Sequence, residues 1–134
     1  MSGEFYALLR QHSILARTLP ADDGPLDEEA FRQGLAYAAA SGSLLRSAFS
    51  ARTLSLFERM PAALLPSYLS GLVIGEELRG QPRESGQVTL TVIGSPALAQ
   101  RYALALAWQG AEARCLGAEA TWRGLWRIAQ GVRA

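Results

Sequence analysis

The chain has 134 residues, of which 49% are hydrophobic, a length and composition that suit one domain with its own core. Its 13 Lys and Arg against 12 Asp and Glu give a net charge of +1, and no apolar run approaches the roughly 20 residues that span a bilayer, so nucleic acid and membranes are disfavoured as partners. The single Cys115 and the single His12 exclude an intrachain disulfide and a zinc site built from several Cys or His ligands.

The first two predicted elements are helices separated by a turn. Apolar residues at helical spacing predict one amphipathic helix over about residues 3–19, with His12 as a packing residue on its apolar side. Residues 20–25 contain two prolines, two aspartates and a glycine, which predicts a turn. Asp27 is a favourable N-cap for a second helix, which should stop at residues 41–42.

Two further helices are predicted next. The third, over about residues 44–59, should bury four apolar side chains, Leu45, Ala48, Phe49 and Leu56. Pro66 fits the first position of the fourth helix, where only an unpaired N–H is lost, and this helix should end near residues 79–80. The polar connector at residues 80–86 is the best candidate for a mobile loop.

One face of the fourth helix carries almost no side-chain volume. Ser67, Gly71 and Gly75 recur every four residues and therefore lie on the same face. Such a face allows another group to come very close to the helix backbone. A tightly packed second helix is the favoured explanation, and a ligand or a moving domain is the alternative.

A strand, a tight turn and a helix follow. Residues 88–93 alternate and are rich in β-branched side chains, which predicts a strand buried on at least one face. In the turn, Ser95 is a natural N-cap and Pro96 a natural first helical residue. Gly94 can adopt a conformation forbidden to other residues and let a ligand approach the backbone. The helix should continue through Trp108 and bury Leu98, Ala99, Tyr102, Ala105 and Leu106.

A second strand is predicted at residues 112–116, parallel to the first because a helix connects the two. Cys115 should sit inside it as a small hydrophobe. A last helix, over about residues 118–130, should bury Trp122, Leu125, Trp126 and Ala129, with adenine stacking as the second alternative for the two tryptophans.

The predicted fold class is α/β and helix-rich, with about six helices and a small, mainly parallel sheet. Two strands are few for so many helices, because parallel sheets are usually larger and covered on both faces. Either an antiparallel strand is hidden in a predicted helix, or further strands lie in another segment of a larger α/β protein. We favour the second explanation.

Short motifs occur in a fixed order along nearly the whole chain: MSGEFYALL at residues 1–9, HSIL at 12–15, FSARTL at 49–54, YLSGLVIGEEL at 68–78, VIGSP at 92–96, RY at 101–102, AL at 105–106 and GLW at 124–126. No single motif is specific, but the combination resembles the C-terminal part of the 2-dehydro-3-deoxygalactonokinases. That family is similar in fold to actin and hexokinase, in which two ribonuclease-H-like domains close around ATP and a sugar.

The resemblance implies a function and a nucleotide site. It implies transfer of the ATP γ-phosphate to 2-dehydro-3-deoxy-D-galactonate in galactonate breakdown, with ATP and Mg²⁺ as cofactors and a sugar-acid substrate as partner. Residues 1–134 would then be the C-terminal, nucleotide-side domain of a cytoplasmic two-domain kinase. Gly94, Ser95 and Pro96 match the adenosine-side turn.

A second set of candidates lies on the phosphate side or at a domain interface and comprises Gly3, Glu4, Arg52, Gly71 and Gly75. Glu4 either points towards phosphate or complements its helix dipole, and the dipole explanation is favoured. Arg52 lies in an apolar helical pattern, which predicts a buried side chain with a carboxylate or phosphate partner. A structural ion pair is favoured over an interdomain contact. No residue is predicted to be catalytic or to bind a metal.

Both phosphate-binding hairpins of the family are missing from the sequence. We therefore expect Met1 to be an internal methionine of a longer enzyme, and the chain alone to lack appreciable kinase activity. The alternative is a stand-alone, non-catalytic binding or assembly module that uses the Ser67, Gly71 and Gly75 face. In either case, exposed strand edges predict self-association.

Overall fold

The computed structural model describes residues 1–81 and 89–131. The chain divides into two compact units, Met1–Pro82 and Arg83–Ala134. The predicted mobile loop lies outside the described residues from residue 82 onwards, as does the predicted start of the first strand at Val88. A single domain over residues 1–134 stays a prediction.

The N-terminal unit is built from helices: α1 (Ser2–His12), α2 (Glu28–Ser41), α3 (Leu44–Ser47), α4 (Ser50–Leu56) and α5 (Leu65–Arg79), with 3₁₀ turns at Ile14–Arg17 and Ala62–Leu64. The C-terminal unit alternates strands and helices: β1 (Leu90–Ile93), α6 (Pro96–Trp108), β2 (Ala113–Leu116) and α7 (Glu119–Gly131). Among the described residues, no helix combines the length and the apolar character needed to cross a membrane.

The ends of α2 follow from local chemistry. The Asp27 side chain accepts a hydrogen bond from the Ala30 N–H at 2.8 Å and caps the helix at its N-terminus. At the other end Gly42 adopts φ 68°, the left-handed conformation that glycine reaches without a Cβ penalty. Both predicted boundaries of this helix are confirmed.

The predicted helix over residues 3–19 is wrong in its second half. At Ser13 the backbone is extended, with φ −103° and ψ 175°, and the Ser13 hydroxyl accepts from the Leu15 N–H at 3.1 Å. A serine that bonds to nearby backbone groups competes with the helical ladder, so α1 ends at His12 and a 3₁₀ turn begins. His12 itself is exposed, and its predicted packing role is also wrong.

The predicted third helix is divided into α3 and α4. Its predicted buried stripe is wrong at three of four positions, because Leu45, Phe49 and Leu56 are 89%, 51% and 58% exposed. Between the two short helices the Ala51 N–H bonds to the Ala48 carbonyl oxygen, three residues back, at 3.3 Å, so the regular α-helical hydrogen-bond ladder is interrupted there. Ser47 and Ala51 are the residues of α3 and α4 that face inwards.

The core of the N-terminal unit is the packing of α2 against α5. A Cβ built on Gly71 would overlap the Phe31 carbonyl oxygen, and one built on Gly34 would overlap the Tyr68 carbonyl oxygen. The two helices therefore meet backbone to backbone, at a distance that any larger residue would prevent. Ser67 adds a hydrogen bond, accepting from the Asp27 N–H at 3.0 Å. The close approach at the bare face of α5 is thus a helix packing, the favoured alternative.

A polar cluster connects α1 to the following turn and to α5. The Tyr6 hydroxyl donates to Asp23 Oδ1 at 3.0 Å and lies 3.4 Å from the Pro66 carbonyl oxygen, while Arg10 pairs with Asp23. Burial, reinforced by the Asp23 carboxylate, raises the pKa of Tyr6. The side chain of Arg10 also donates to the Ala21 carbonyl oxygen at 2.9 Å. The polar groups of this cluster therefore bond to each other and to backbone carbonyls, and they stabilise the fold.

The C-terminal unit confirms the α/β class and the parallel strands. β1 and β2 pair in parallel, with Leu90 opposite Ala113 and Ile93 opposite Leu116. α6 covers one face with Ala99, Ala105 and Leu106, three of the five predicted buried residues; Leu98 and Tyr102 are not buried.

The last helix and Cys115 depart from prediction. In α7 no residue is buried, and Trp122, Leu125 and Trp126 are 72%, 53% and 67% exposed. The amphipathic pattern is present, but no described layer of the unit covers its apolar side. Cys115 is also exposed, and the sheet has no strand besides β1 and β2 among the described residues.

Candidate nucleotide site

The turn from Gly94 to Pro96 lies at the carboxyl ends of both strands. It leaves β1 and enters α6, and the Gly94 N–H donates to the Leu116 carbonyl oxygen at 3.2 Å. This bond places the turn beside the last residue of β2. In open parallel sheets, ligands bind outside the carboxyl ends of the strands.

Ser95 and Pro96 have the predicted local roles. Ser95 is extended, with φ −62° and ψ 155°, and its hydroxyl accepts from the Leu98 N–H at 3.4 Å. Pro96 is the first residue of α6. The side chains of both residues are exposed, so a ligand can reach them. The N-cap geometry of the turn is therefore confirmed, and its nucleotide role stays a prediction.

The expectation for Gly94 is wrong in one respect. Among the described glycines, positive φ occurs at Gly24, Gly42 and Gly110, and Gly94 is not in this set. What limits residue 94 is space, because an added Cβ would lie 3.3 Å from Leu98 Cδ2. A larger residue here would press on the first turn of α6.

A second turn lies at the same edge of the sheet, and the sequence prediction missed it. Gly117 follows β2, and its N–H donates to Glu119 Oε1 at 3.2 Å. This carboxylate occupies the N-terminus of α7, where it complements the positive end of the helix dipole. The sequence signal that could have identified this turn was a glycine two residues before a glutamate at a predicted helix start.

The two helix starts therefore differ in what they offer a ligand. At α7 the Glu119 carboxylate already accepts from the Gly117 N–H and brings a negative charge to the helix start. At α6 the Ser95 side chain and carbonyl accept from Leu98 and Ala99, and Pro96 has no N–H. Among the described hydrogen bonds this leaves the Ala97 N–H and the Ser95 hydroxyl as donors. Such a small neutral set suits a ribose or adenine edge better than a triphosphate.

The other predicted site residues lie on three helices of the N-terminal unit. Gly3 and Glu4 are exposed in the first turn of α1. Arg52 in α4 is half-buried, and its Nη1 donates to the Ile14 carbonyl oxygen at 3.4 Å. Among the described residues no carboxylate pairs with it, and its partner in a phosphate-side or interdomain contact stays a prediction.

Gly71 and Gly75 are buried against α2. Residues of α2 already occupy the surface that a phosphate or a second domain would need. Their phosphate-side or interdomain role stays a prediction.

The described residues do not form a metal centre. Within residues 1–81 and 89–131, no three His, Cys, Asp or Glu side chains come together as metal ligands. In phosphoryl transfer Mg²⁺ is held by substrate phosphates, water and one or two carboxylates. A metal site made by protein side chains alone is therefore not found among the described residues.

Comparison with known proteins gives consistent results. The family model of 2-keto-3-deoxy-galactonokinase matches residues 1–128. A 2-dehydro-3-deoxygalactonokinase of Escherichia coli strain K12 is 27% identical over 134 residues, which are 98% of this chain and 45% of that protein. The crystal structure of a Sinorhizobium meliloti protein assigned as a 2-dehydro-3-deoxygalactonokinase matches with a TM-score of 0.78 at 28% identity, over 98% of this chain and 45% of that one.

These matches relate the chain to α/β proteins of the kinase class. More specifically, the chain belongs to the 2-keto-3-deoxy-galactonokinase family. It spans 45% of the length of the E. coli relative. The resemblance found in the sequence motifs and the helix-rich α/β fold are both confirmed.

Proposed function

We propose that the chain is part of a kinase that transfers the ATP γ-phosphate to 2-dehydro-3-deoxy-D-galactonate in galactonate breakdown. The family match over residues 1–128 carries this proposal. The name of the E. coli relative supports the substrate, since it describes a kinase acting on that sugar acid. The same evidence argues against a stand-alone assembly module, and a cytoplasmic location is part of the proposal.

In this proposal Gly94, Ser95 and Pro96 form one wall of the ATP site. The Ser95 hydroxyl and the Ala97 N–H would bond to the adenosine side of the nucleotide. Phosphoryl transfer depends mainly on positioning and on stabilising charge, so a wall that fixes the nucleoside contributes by orientation. ATP and Mg²⁺ are the proposed cofactors of the complete kinase, and Mg²⁺ when bound would neutralise charge on the phosphates.

A chimera of the E. coli relative, with its matching segment replaced by residues 1–134, tests the proposal. With ATP, Mg²⁺ and 2-dehydro-3-deoxy-D-galactonate, a coupled assay should detect ADP release by the chimera and none by the 134-residue chain alone. A folded chimera that binds ATP but does not act on this sugar acid would refute the substrate.

Ser95→Ala in the active chimera tests the wall itself. Loss of one neutral hydrogen bond should raise the KM for ATP about two- to tenfold and leave the KM for the sugar acid unchanged. Ser55→Ala in α4 is a control of the same chemistry. An unchanged KM for ATP in the Ser95 variant would show that the turn is not part of the ATP site.

A further inference from the structure

The apolar face of α7 has the composition of a buried surface. Trp122, Leu125 and Trp126 are three and four residues apart, so they share one side of the helix, and they are 72%, 53% and 67% exposed. The same spacing places Arg123 and Arg127 away from the centre of this face. The helix therefore has one side suited to solvent and one suited to a partner.

The sheet of the same unit is open in a similar way. α6 lies on the side of Cys115, whose Sγ is 3.8 Å from the Ala99 carbonyl oxygen. Ile93, on the opposite side of the pleat, is 50% exposed. Parallel sheets are normally covered on both faces, so this unit carries two neighbouring elements with uncovered apolar surface. Contiguous exposed apolar patches on a protein mark interaction sites.

The relatives indicate what covers this surface. The matched region accounts for 45% of the E. coli kinase, so more than half of that protein is polypeptide outside the match. We propose that the face of α7 formed by Trp122, Leu125 and Trp126 docks an apolar segment of that remaining kinase polypeptide. The inference rests on the proposed function for the identity of the partner. A second copy of the chain and a lipid surface are the competing occupants.

Hydrogen exchange by mass spectrometry tests the docking. In the chimera described above, the α7 amides should exchange at least tenfold more slowly than in the 134-residue chain alone. The α5 amides, already buried in the chain alone, should be protected in both. Trp126→Glu should abolish the gain at α7. Ile128→Glu, on the same helix and 65% exposed but off the face, should preserve it.

The outcomes separate this inference from the proposed function. An active chimera with unprotected α7 amides would overturn the docking and leave the kinase assignment intact. A chimera with protected α7 amides but no turnover would support the docking and contradict the kinase assignment. If the chimera does not fold, the chain is mixed with the separately produced remainder of the E. coli kinase. A blue shift of tryptophan emission that Trp126→Glu removes then supports docking, and no shift overturns it.

The competing occupants are tested on the chain alone. The self-association predicted above uses strand edges, so sedimentation should show that Trp126→Glu leaves the oligomeric state of the chain unchanged. Phosphatidylglycerol vesicles should not bind the chain. A dimer that Trp126→Glu dissociates would assign the face to a second copy. Vesicle binding sensitive to the same substitution would assign it to lipid. Either result would overturn the proposal.

Discussion

The α2–α5 pair and the α7 helix differ in how far their apolar side chains are buried. In the first, glycines bring two backbones together, and every residue of α5 from Leu65 to Gly75 is buried. In the second, a helix with a clear apolar side buries none of its residues. The difference indicates that the N-terminal unit contains its own core, whereas the C-terminal unit presents surfaces for something else to cover.

The largest expected effect comes from Gly71→Ala. The new Cβ would overlap the Phe31 carbonyl oxygen and force α2 away from α5, so the free energy of unfolding should fall by at least about 3 kcal/mol. Urea denaturation followed by circular dichroism measures it. Gly3→Ala is the control, since a Cβ there meets no atom within 4 Å. Equal stability of the two variants would contradict the close packing.

Tyr6→Phe should have the next largest effect. It removes the hydroxyl that bonds to Asp23 in a partly buried site, which should cost about 1–2 kcal/mol at neutral pH. Because the folded pKa of Tyr6 is raised above the ordinary value of 10.0, its stabilisation is complete below pH 10 and is lost as the pH rises beyond it. The difference between wild type and variant should therefore shrink in alkali. A pH-independent difference would show that Tyr6 does not titrate as described.

The two helix caps offer a smaller comparison. Asp27→Ala removes a 2.8 Å bond and should cost about 1–2 kcal/mol, whereas Ser95→Ala removes a 3.4 Å bond and should cost about 0.5 kcal/mol. Thermal melts of the two variants measure the difference. A larger loss of stability for Ser95→Ala than for Asp27→Ala would contradict this ranking of the two caps.

Gly124→Ala should have a small effect, of the opposite sign to that of Gly71→Ala. Gly124 lies inside α7, and a Cβ there meets no atom within 4 Å, so alanine should stabilise the helix by up to about 1 kcal/mol through propensity alone. Helical circular dichroism and the melting temperature report it. A loss of stability would mean that the surface around Gly124 is already in contact with another group.

Local chemistry was readable from the sequence, and burial was not. Asp27, Gly42 and Ser95 cap helices through bonds to residues a few positions away, so these boundaries could be predicted. The burial of Phe49 and Trp126 depends on which elements lie opposite them, and a periodic pattern cannot supply that information. Both were predicted to be buried and both are exposed.

The partner of the bare α5 face was also missed, although a signal existed. Ala30, Gly34 and Ala38 on α2 recur every four residues, as Ser67, Gly71 and Gly75 do on α5. Two helices with matching rows of small residues predict mutual close packing. Read together, the two rows would have identified the α2–α5 core.

The nucleotide role of the turn is the central claim, and an amide NMR titration tests it most directly. ATP added to the chimera should shift the amide signals of Gly94, Ser95 and Ala97 in a saturable manner. Gly110, which lies beyond the opposite end of α6, should not shift. Equal shifts at both ends of the helix, or none at Gly94 and Ser95 up to millimolar ATP, would contradict the account.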